Sequence, residues 1–466
     1  MIRNILSITQ AANLQTSGFR RGKRALASVL IALLILPSGL FAAEPLDTVI
    51  IDAGYDKQTK VAVVPFRIDP QVRAQAPIEG IVEFDLQRSG QFEVLDASSM
   101  LSLPNQPSEV LFRDWKILGQ EFLVIGNVVP GATGGQVLNL YVFDVVAERL
   151  LAAQAIAGSS DQWRDMAHKA ADIVFEQATG IPGAFSTRLM YVLASRLGTG
   201  GDTFKLEISD SDGERVRTLH ESNEPILSAS WSPNGQEVTY VSFDTGRSAI
   251  YVHDLVQNSR EKLAEFPGIN SAPRYSPDGK ELAMVLSKDG NPEIYVMNLS
   301  TRSLRRMTQN RAIDTEPSYS PDGKMIAFTS DRGGKPQIYQ LDARTGKFDT
   351  RLTNEGDYNA RVQHMPDGKH LVFVHRNNGV FHIAWQSLVG NDFRILTQTN
   401  LDESPSVAPN GAMVIYATQI DGRGILAVVS VDGRVKYRLP SSEGEVREPA
   451  WSPYLRSVVT TSPLDS

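Results

Sequence analysis

The sequence predicts a two-domain protein, an N-terminal α/β domain followed by an all-β six-bladed propeller. Three observations carry this reading. Helical periodicity is confined to residues before about 180. From Arg188 onward one phrase recurs as WSPNGQEVTYVS, YSPDGKELAMVLS, YSPDGKMIAFTS, HMPDGKHLVFVH, VAPNGAMVIYAT and WSPYLRSVVTT. Its prolines, Pro233, Pro277, Pro321, Pro366, Pro409 and Pro453, are 44, 44, 45, 43 and 44 residues apart. A second phrase follows in register as IYVHDL, IYVMNL, IYQLDA, IAWQSL and LAVVSV. A period of about 40–45 residues made of short strands is the mark of propeller blades of four strands each.

Taken in order, residues 1–43 read as a secretory signal peptide. The basic run Arg20–Arg24 precedes the uncharged apolar run Ala25–Leu36, and small residues follow up to Ala42 and Ala43. Residues 44–180 form the α/β domain. KVAVVPF is a strand, and PIEGIVEFDLQRSG places Ile78, Ile81, Val82, Asp85 and Leu86 at helical spacing with Gly90 as its stop. QFEVLD, EFLVIGNVV, LNLYVFDVV and the hairpin partner RLLAAQAIAG are strands. Ser159 and Gln162 make a capping box before the helix that ends at Gly180 and Pro182. Residues 181–187 are a linker, 188–456 the propeller and 457–466 a tail, either loose or a rival strand for the last blade.

The repeated phrase has a chemical reason. Proline pre-sets φ for a type I turn, Asp or Asn tolerates the next position, and Gly takes the left-handed conformation that closes the hairpin. Ser-Pro-Asp-Gly therefore joins the innermost strand A of each blade to strand B. RLMYVLAS, the first B-type strand, has no such phrase before it, and REPAWSP, the last A-type strand, has none of its outer strands after it. The two fragments complete one blade from opposite ends of the chain. A ring closed in this way exposes no strand edge.

Composition excludes several functions. Without residues 1–43 the chain carries 41 basic and 53 acidic residues, which disfavours nucleic acid and anionic membrane surfaces. There is no cysteine, so an exported chain of this kind is held by packing alone. No Gly-x-Ser-x-Gly elbow, His-Glu-x-x-His pair or phosphate-cradling glycine loop is present, so neither enzymatic activity nor a cofactor is expected. His364, His370, His375 and His382 crowd one blade, with His375 and His382 facing each other across a hairpin, but two histidines make a poor metal site. Asp244, Asp289, Asp331 and Asp421 read as turn residues. The remaining acids gather just before strand A: Asp314 and Glu316, Asp357, Asp402 and Glu403, and Glu448. Arg247, Lys288, Arg332, Lys335, Arg376 and Arg423 sit in the B–C loops, which share that end of a propeller. One channel mouth thus carries an acidic inner ring with basic residues beyond it, on loops suited to recognition.

TGIPGAFSTRLMYV, SFDTGRSAIYV, FTSDRGGKPQIY, LDESPSVAPNGAMVIYAT and the ending EPAWSPYL closely resemble the TolB family, periplasmic subunits of the Tol–Pal envelope system. The resemblance covers the whole chain after residue 43. It implies that the α/β domain is similar to an anticodon-binding fold without RNA binding. It implies a soluble, monomeric periplasmic protein with two partners. The lipoprotein Pal would meet the channel mouth at Ala272 and Thr315, where Glu316, Asp402 and Glu403 join them. The inner-membrane protein TolA would meet the segment after the signal peptide, through Val49, Ile50, Ile51 and Asp52. The system's implied role is outer-membrane integrity and inward movement of the outer membrane at division. The alternative reading is a periplasmic propeller enzyme or ligand-binding module.

Overall fold

A computed structural model describes residues 58–461, apart from 133, 197–200, 391, 440–443 and 456–457. The signal segment and the expected TolA-binding residues Val49, Ile50, Ile51 and Asp52 lie outside the described residues.

The α/β domain is built on one mixed sheet. Strands β1 (Thr59–Val63), β2 (Arg67–Ile68), β3 (Phe92–Val94), β4 (Phe122–Pro130), β5 (Gln136–Asp144) and β6 (Arg149–Gly158) form it in the order β3-β1-β4-β5-β6, with β2 on β4. The β3-β1-β4 part is parallel and the β4-β5-β6 part antiparallel. The apolar run over residues 61–64, at the end of β1, is buried because both its faces are covered. Val61 and Val63 pack under α1 (Ile78–Arg88) and the long helix Trp163–Thr179. Ala62 and Val64 turn to the other face, against Trp115 of α2 (Phe112–Ile117). This six-residue helix, too short for a periodic signal, was not foreseen; the long helix is therefore α3. The capping box at Ser159 and Gln162 is present, and Gly180 ends α3 at φ 75°.

Six four-stranded blades follow. Blade 1 is closed as expected: Glu445–Trp451 is its inner strand and pairs antiparallel with Arg188–Arg196, Trp451 lying opposite Leu189. Strands Asp202–Asp210 and Arg217–Ser222 complete it. The inner strands of blades 2 to 6 are Ile226–Trp231, Asn270–Tyr275, Asp314–Tyr319, Asn359–His364 and Glu403–Val407. At the Ser276-Pro-Asp-Gly turn, the Ser276 hydroxyl donates to Asp278 (2.7 Å) and accepts the Glu281 N–H (2.9 Å), while Gly279 sits at φ 71°. Asp421 and Gly422, at φ 51° and 77°, form the primed two-residue turn that suits a twisted hairpin.

The tail behaves differently from either expectation. Val459–Thr461 is neither loose nor a propeller strand. It pairs with β6, Thr460 opposite Ile156, and covers an edge that would otherwise stand open. Blade 1 already has its B strand from the start of the propeller, so the chain leaving Trp451 has no place in the ring.

The two domains are joined by a buried ionic cluster. Asp85 on α1 holds Arg88 (2.9 Å) and His168 Nδ1 of α3 (2.6 Å). Arg88 donates to Ser211 Oγ (2.7 Å) and Tyr437 OH (3.1 Å) of the propeller. Arg164 of α3 pairs with Asp210 (3.3 Å) and with Asp212, and Arg215 bridges Asp210 (2.7 Å) to Asp165 of α3 (2.6 Å). Asp85, His168 and Asp212 each bring one ligand-type atom within 4.8 Å of the others. A cation there would compete with Arg88 and Arg164 for the same carboxylates, so the chemistry is that of an ion-pair latch. In the linker, a Cβ on Gly183 would meet the Asp172 Cα at 2.3 Å, which requires glycine at this close approach.

Candidate functional site

The α/β domain packs on the end of the propeller that carries the A–B and C–D turns. Ser211 lies in the C–D turn of blade 1, Asn410 in the A–B turn of blade 6 donates to Pro182 O (3.0 Å), and Gly90 packs on Val435. The opposite end, with the D–A and B–C loops, is left uncovered by that domain.

At that end each inner strand carries a bulge. The register shifts once per blade, and the bulged residues Ser228, Ala272, Glu316, Arg361, Ser404 and Glu448 all have positive φ, between 48° and 56°. A bulge re-aims one side chain relative to the sheet. Here all six line the axial neck, together with Arg274, around a space of about 40 Å³. Arg361 is the hub. Its guanidinium lies 3.2 Å from Glu316 and 2.9 Å from Glu448, and donates to Ser404 Oγ at 2.6 Å. Burial opposes its charge, but Glu448 and Glu316 outweigh burial and hold it firmly cationic. Arg361 and its φ were not legible in the repeat, because the other blades place Ser, Ala or Glu at the same offset.

The expected residues separate into two groups. Ala272 and Glu316 are in the neck itself, and the half-buried Thr315 precedes Glu316, opposite Thr329. Glu403 is half-buried beside Ser404, and its charge adds to the field on Arg361. Asp402 requires a correction: it has no exposed surface and accepts from Thr397 and Thr399. Burial raises its pKa from the ordinary carboxylate value. It shapes the loop from within and offers nothing to an approaching partner. Asp314, also fully buried, is bound to Arg332 (2.9 Å), and Asp357 to Arg376 (2.7 Å) and Lys335 (2.9 Å). Asp314 and Asp357 of the acidic ring are thus neutralised by basic residues beyond it, whereas Glu316 and Glu448 pair with Arg361 inside the neck. The histidines of blade 5 diverge. His375 and His382 are cross-strand partners, but His375 Nδ1 meets Asn359 Oδ1 (2.8 Å), His370 stacks on Trp385, and His364 lines the channel at the other end.

Comparison with known proteins matches both domains. Residues 47–151 match the TolB amino-terminal domain and residues 175–455 the TolB beta propeller domain. The chain is 51% identical over 430 residues to the Tol-Pal system protein TolB of Pseudomonas aeruginosa, spanning 92% of this chain and 99% of that protein. The chain belongs to the TolB family. The Pseudomonas putida TolB is 50% identical over 429 residues, spanning 91% of this chain and 98% of that protein. The crystal structure of TolB from Acinetobacter baumannii superposes with a TM-score of 0.78 at 42% identity, covering 86% of this chain and 98% of that one. The TolB assignment places the chain among components of the Tol-Pal system. No helix among the described residues is long and apolar enough to cross a membrane.

Proposed function

We propose that this chain is the periplasmic partner-binding subunit of its Tol-Pal system. Pal docks on the uncovered channel mouth at Ala272, Thr315, Glu316 and Glu403, and TolA takes the segment after the signal peptide at Val49, Ile50, Ile51 and Asp52. Through these contacts the chain supports outer-membrane integrity and the inward movement of that membrane at division. The observation that carries the reading is the division of the propeller ends. The α/β domain packs against one of them, over blades 1 and 6, and the other presents the bulged, charged neck on a rigid ring, with Ala272 and Thr315 on neighbouring blades. Recognition residues held on rigid strands lose little entropy on binding.

The test is titration of purified Pal against four variants. Thr315→Arg and Ala272→Arg set a long charged side chain into the mouth and are expected to weaken Pal binding by about 2 kcal/mol or more, as central contacts do. Thr315 is half-buried and tolerates the change without loss of melting temperature. Lys280→Glu and Lys324→Glu, exposed beyond the A–B turns at the other end, are expected to be neutral. Loss of binding in the lysine variants and not in the mouth variants would place Pal on the A–B end and overturn this reading.

The TolA contact has its own test. An apolar segment ending in Asp suits strand addition to a partner's sheet, where main-chain hydrogen bonds supply affinity. Removing residues 44–54 is expected to abolish TolA binding in calorimetric titration while Pal binding persists. TolA binding that survives the deletion sinks this part of the reading.

A further inference from the structure

Beneath the neck, the channel widens into a chamber of about 250 Å³ that opens among the A–B turns, where Pro233, Pro277 and Pro453 line it. Three residues before each turn proline stands one inner-strand residue: Ser230, Arg274, Ser318, Gln363, Ser406 and Ala450. All six line the chamber. Arg274 is the one charged member. It reaches between chamber and neck and donates to a backbone carbonyl, Ala229 O, at 3.1 Å. Among the described residues no carboxylate lies within ion-pair distance of it. The acids whose field it feels, Glu448 and Glu316, are bound to Arg361.

Three of the polar members share a bias. Each uses its oxygen to accept a backbone N–H from the neighbouring blade: Ser318 Oγ from His364 (3.3 Å), Gln363 Oε1 from Val407 (3.2 Å) and Ser406 Oγ from Trp451 (2.9 Å). What these groups can still offer is donor capacity: the hydroxyl protons of the serines, of which Ser318's has only a long alternative acceptor in His364 Nδ1 at 3.5 Å, and the amide NH₂ of Gln363. A cation with unspent N–H groups, ringed by side chains that still have O–H and N–H donors to offer, is the complement of an anion.

We propose that the chamber is a binding site for a small organic carboxylate, with Arg274 taking the carboxylate through its guanidinium fork and Ser318, Gln363 and Ser406 donating to the rest. Arg and carboxylate match in planar two-bond geometry. A cavity of about 150 Å³ already admits a benzene-sized ring, so this one has room for a six-membered sugar acid. The assignment is independent of which partners dock at the opposite mouth.

The experiment is calorimetric titration of the full chain with sodium D-glucuronate, with acetate as the bare head group and D-glucose as the neutral counterpart. Glucuronate binds the wild type, acetate binds more weakly and glucose does not bind. Arg274→Gln, its melting temperature checked, weakens glucuronate at least about tenfold, since the charge-assisted pair is lost. Independently of any variant, crystals soaked in bromide show an anomalous peak beside the Arg274 guanidinium. Absence of glucuronate binding, equal binding by a folded Arg274→Gln chain, equal binding of glucose, or a bromide-free chamber overturns the proposal. If Arg274→Gln does not fold, Ser318→Ala replaces it, with a several-fold loss expected and an unchanged affinity counting against the site.

Discussion

Deleting Trp451 onward is expected to lower the melting temperature by about 10 °C or more. The indole of Trp451 is buried against Leu189 and Leu193 of blade 1 and Ile415 and Val428 of blade 6. Its Nε1 donates to Thr187 Oγ1 (2.8 Å) and its backbone N–H to Ser406 Oγ (2.9 Å). The next residue is clasped to the first propeller strand from both sides, Ser452 N–H to Arg188 O and Arg188 N–H to Ser452 Oγ, each 2.9 Å. Removing a buried Trp alone costs about 3–5 kcal/mol. The lost closure bonds add to that, and in a chain of this size each kcal/mol moves the midpoint by about 2 °C. Deleting only from Ser457 removes the short strand on β6 and spares the ring. That is a loss of about 1–2 kcal/mol, confined to the α/β domain, as for an exposed edge pairing. Thermal melts of the two truncations decide the matter, and coincident midpoints would refute closure through this strand.

The second large effect belongs to the interdomain latch. Asp85→Ala leaves Arg88 and His168 buried without their shared carboxylate, and is expected to cost about 3–5 kcal/mol. His168 supplies the pH signature. Burial opposes its charge, but Asp85 at 2.6 Å and the acids Asp210 and Asp212 raise its pKa to about 10. Its Nε2 stands 3.6 and 3.7 Å from those two acids, beyond good hydrogen-bond reach, so their pull is mainly that of charge. A group raised in the folded state stabilises fully below its unfolded pKa of about 6.5, and loses that contribution as pH climbs through about 10. The Asp85 pKa is lowered, so its contribution is full above its unfolded value and lost in acid. The difference in melting temperature between wild type and His168→Gln should therefore be large at pH 6 and shrink steadily toward pH 10. A difference of the same size at both ends would mean that the imidazole is neutral and the latch is not held by its charge.

How much of this was legible beforehand follows from the range of each interaction. Blade number, the A–B turns and the shared blade could be read because a turn is set by four consecutive residues, and because a repeat reports the same local chemistry six times. The latch could not be read. Its one visible sign was Asp85, an acid on the apolar stripe of α1; its partners His168, Asp210 and Asp212 stand 83 or more positions away along the sequence. The mouth was half legible. Glu316 stood out among the acids gathered before strand A and Ala272 came only through the family resemblance, while the burial of Asp402 depended on how Thr397 and Thr399 fold back over it.

By itself, then, the sequence determined the kind of fold, the order of strands within each blade and the way the ring closes. These rest on short-range φ preferences and on the period of apolar residues, which any stretch of chain expresses locally. The tertiary structure alone decided that Arg361 plugs the neck between Glu316 and Glu448, that Arg274 faces a chamber without a carboxylate partner, and that the tail seals the edge of β6. Each of these depends on which side chains a closed ring brings to its axis from different blades, or on which edge lies nearest a free end. Coulomb energy and hydrogen bonding act over a few ångströms in space, whatever the separation along the chain.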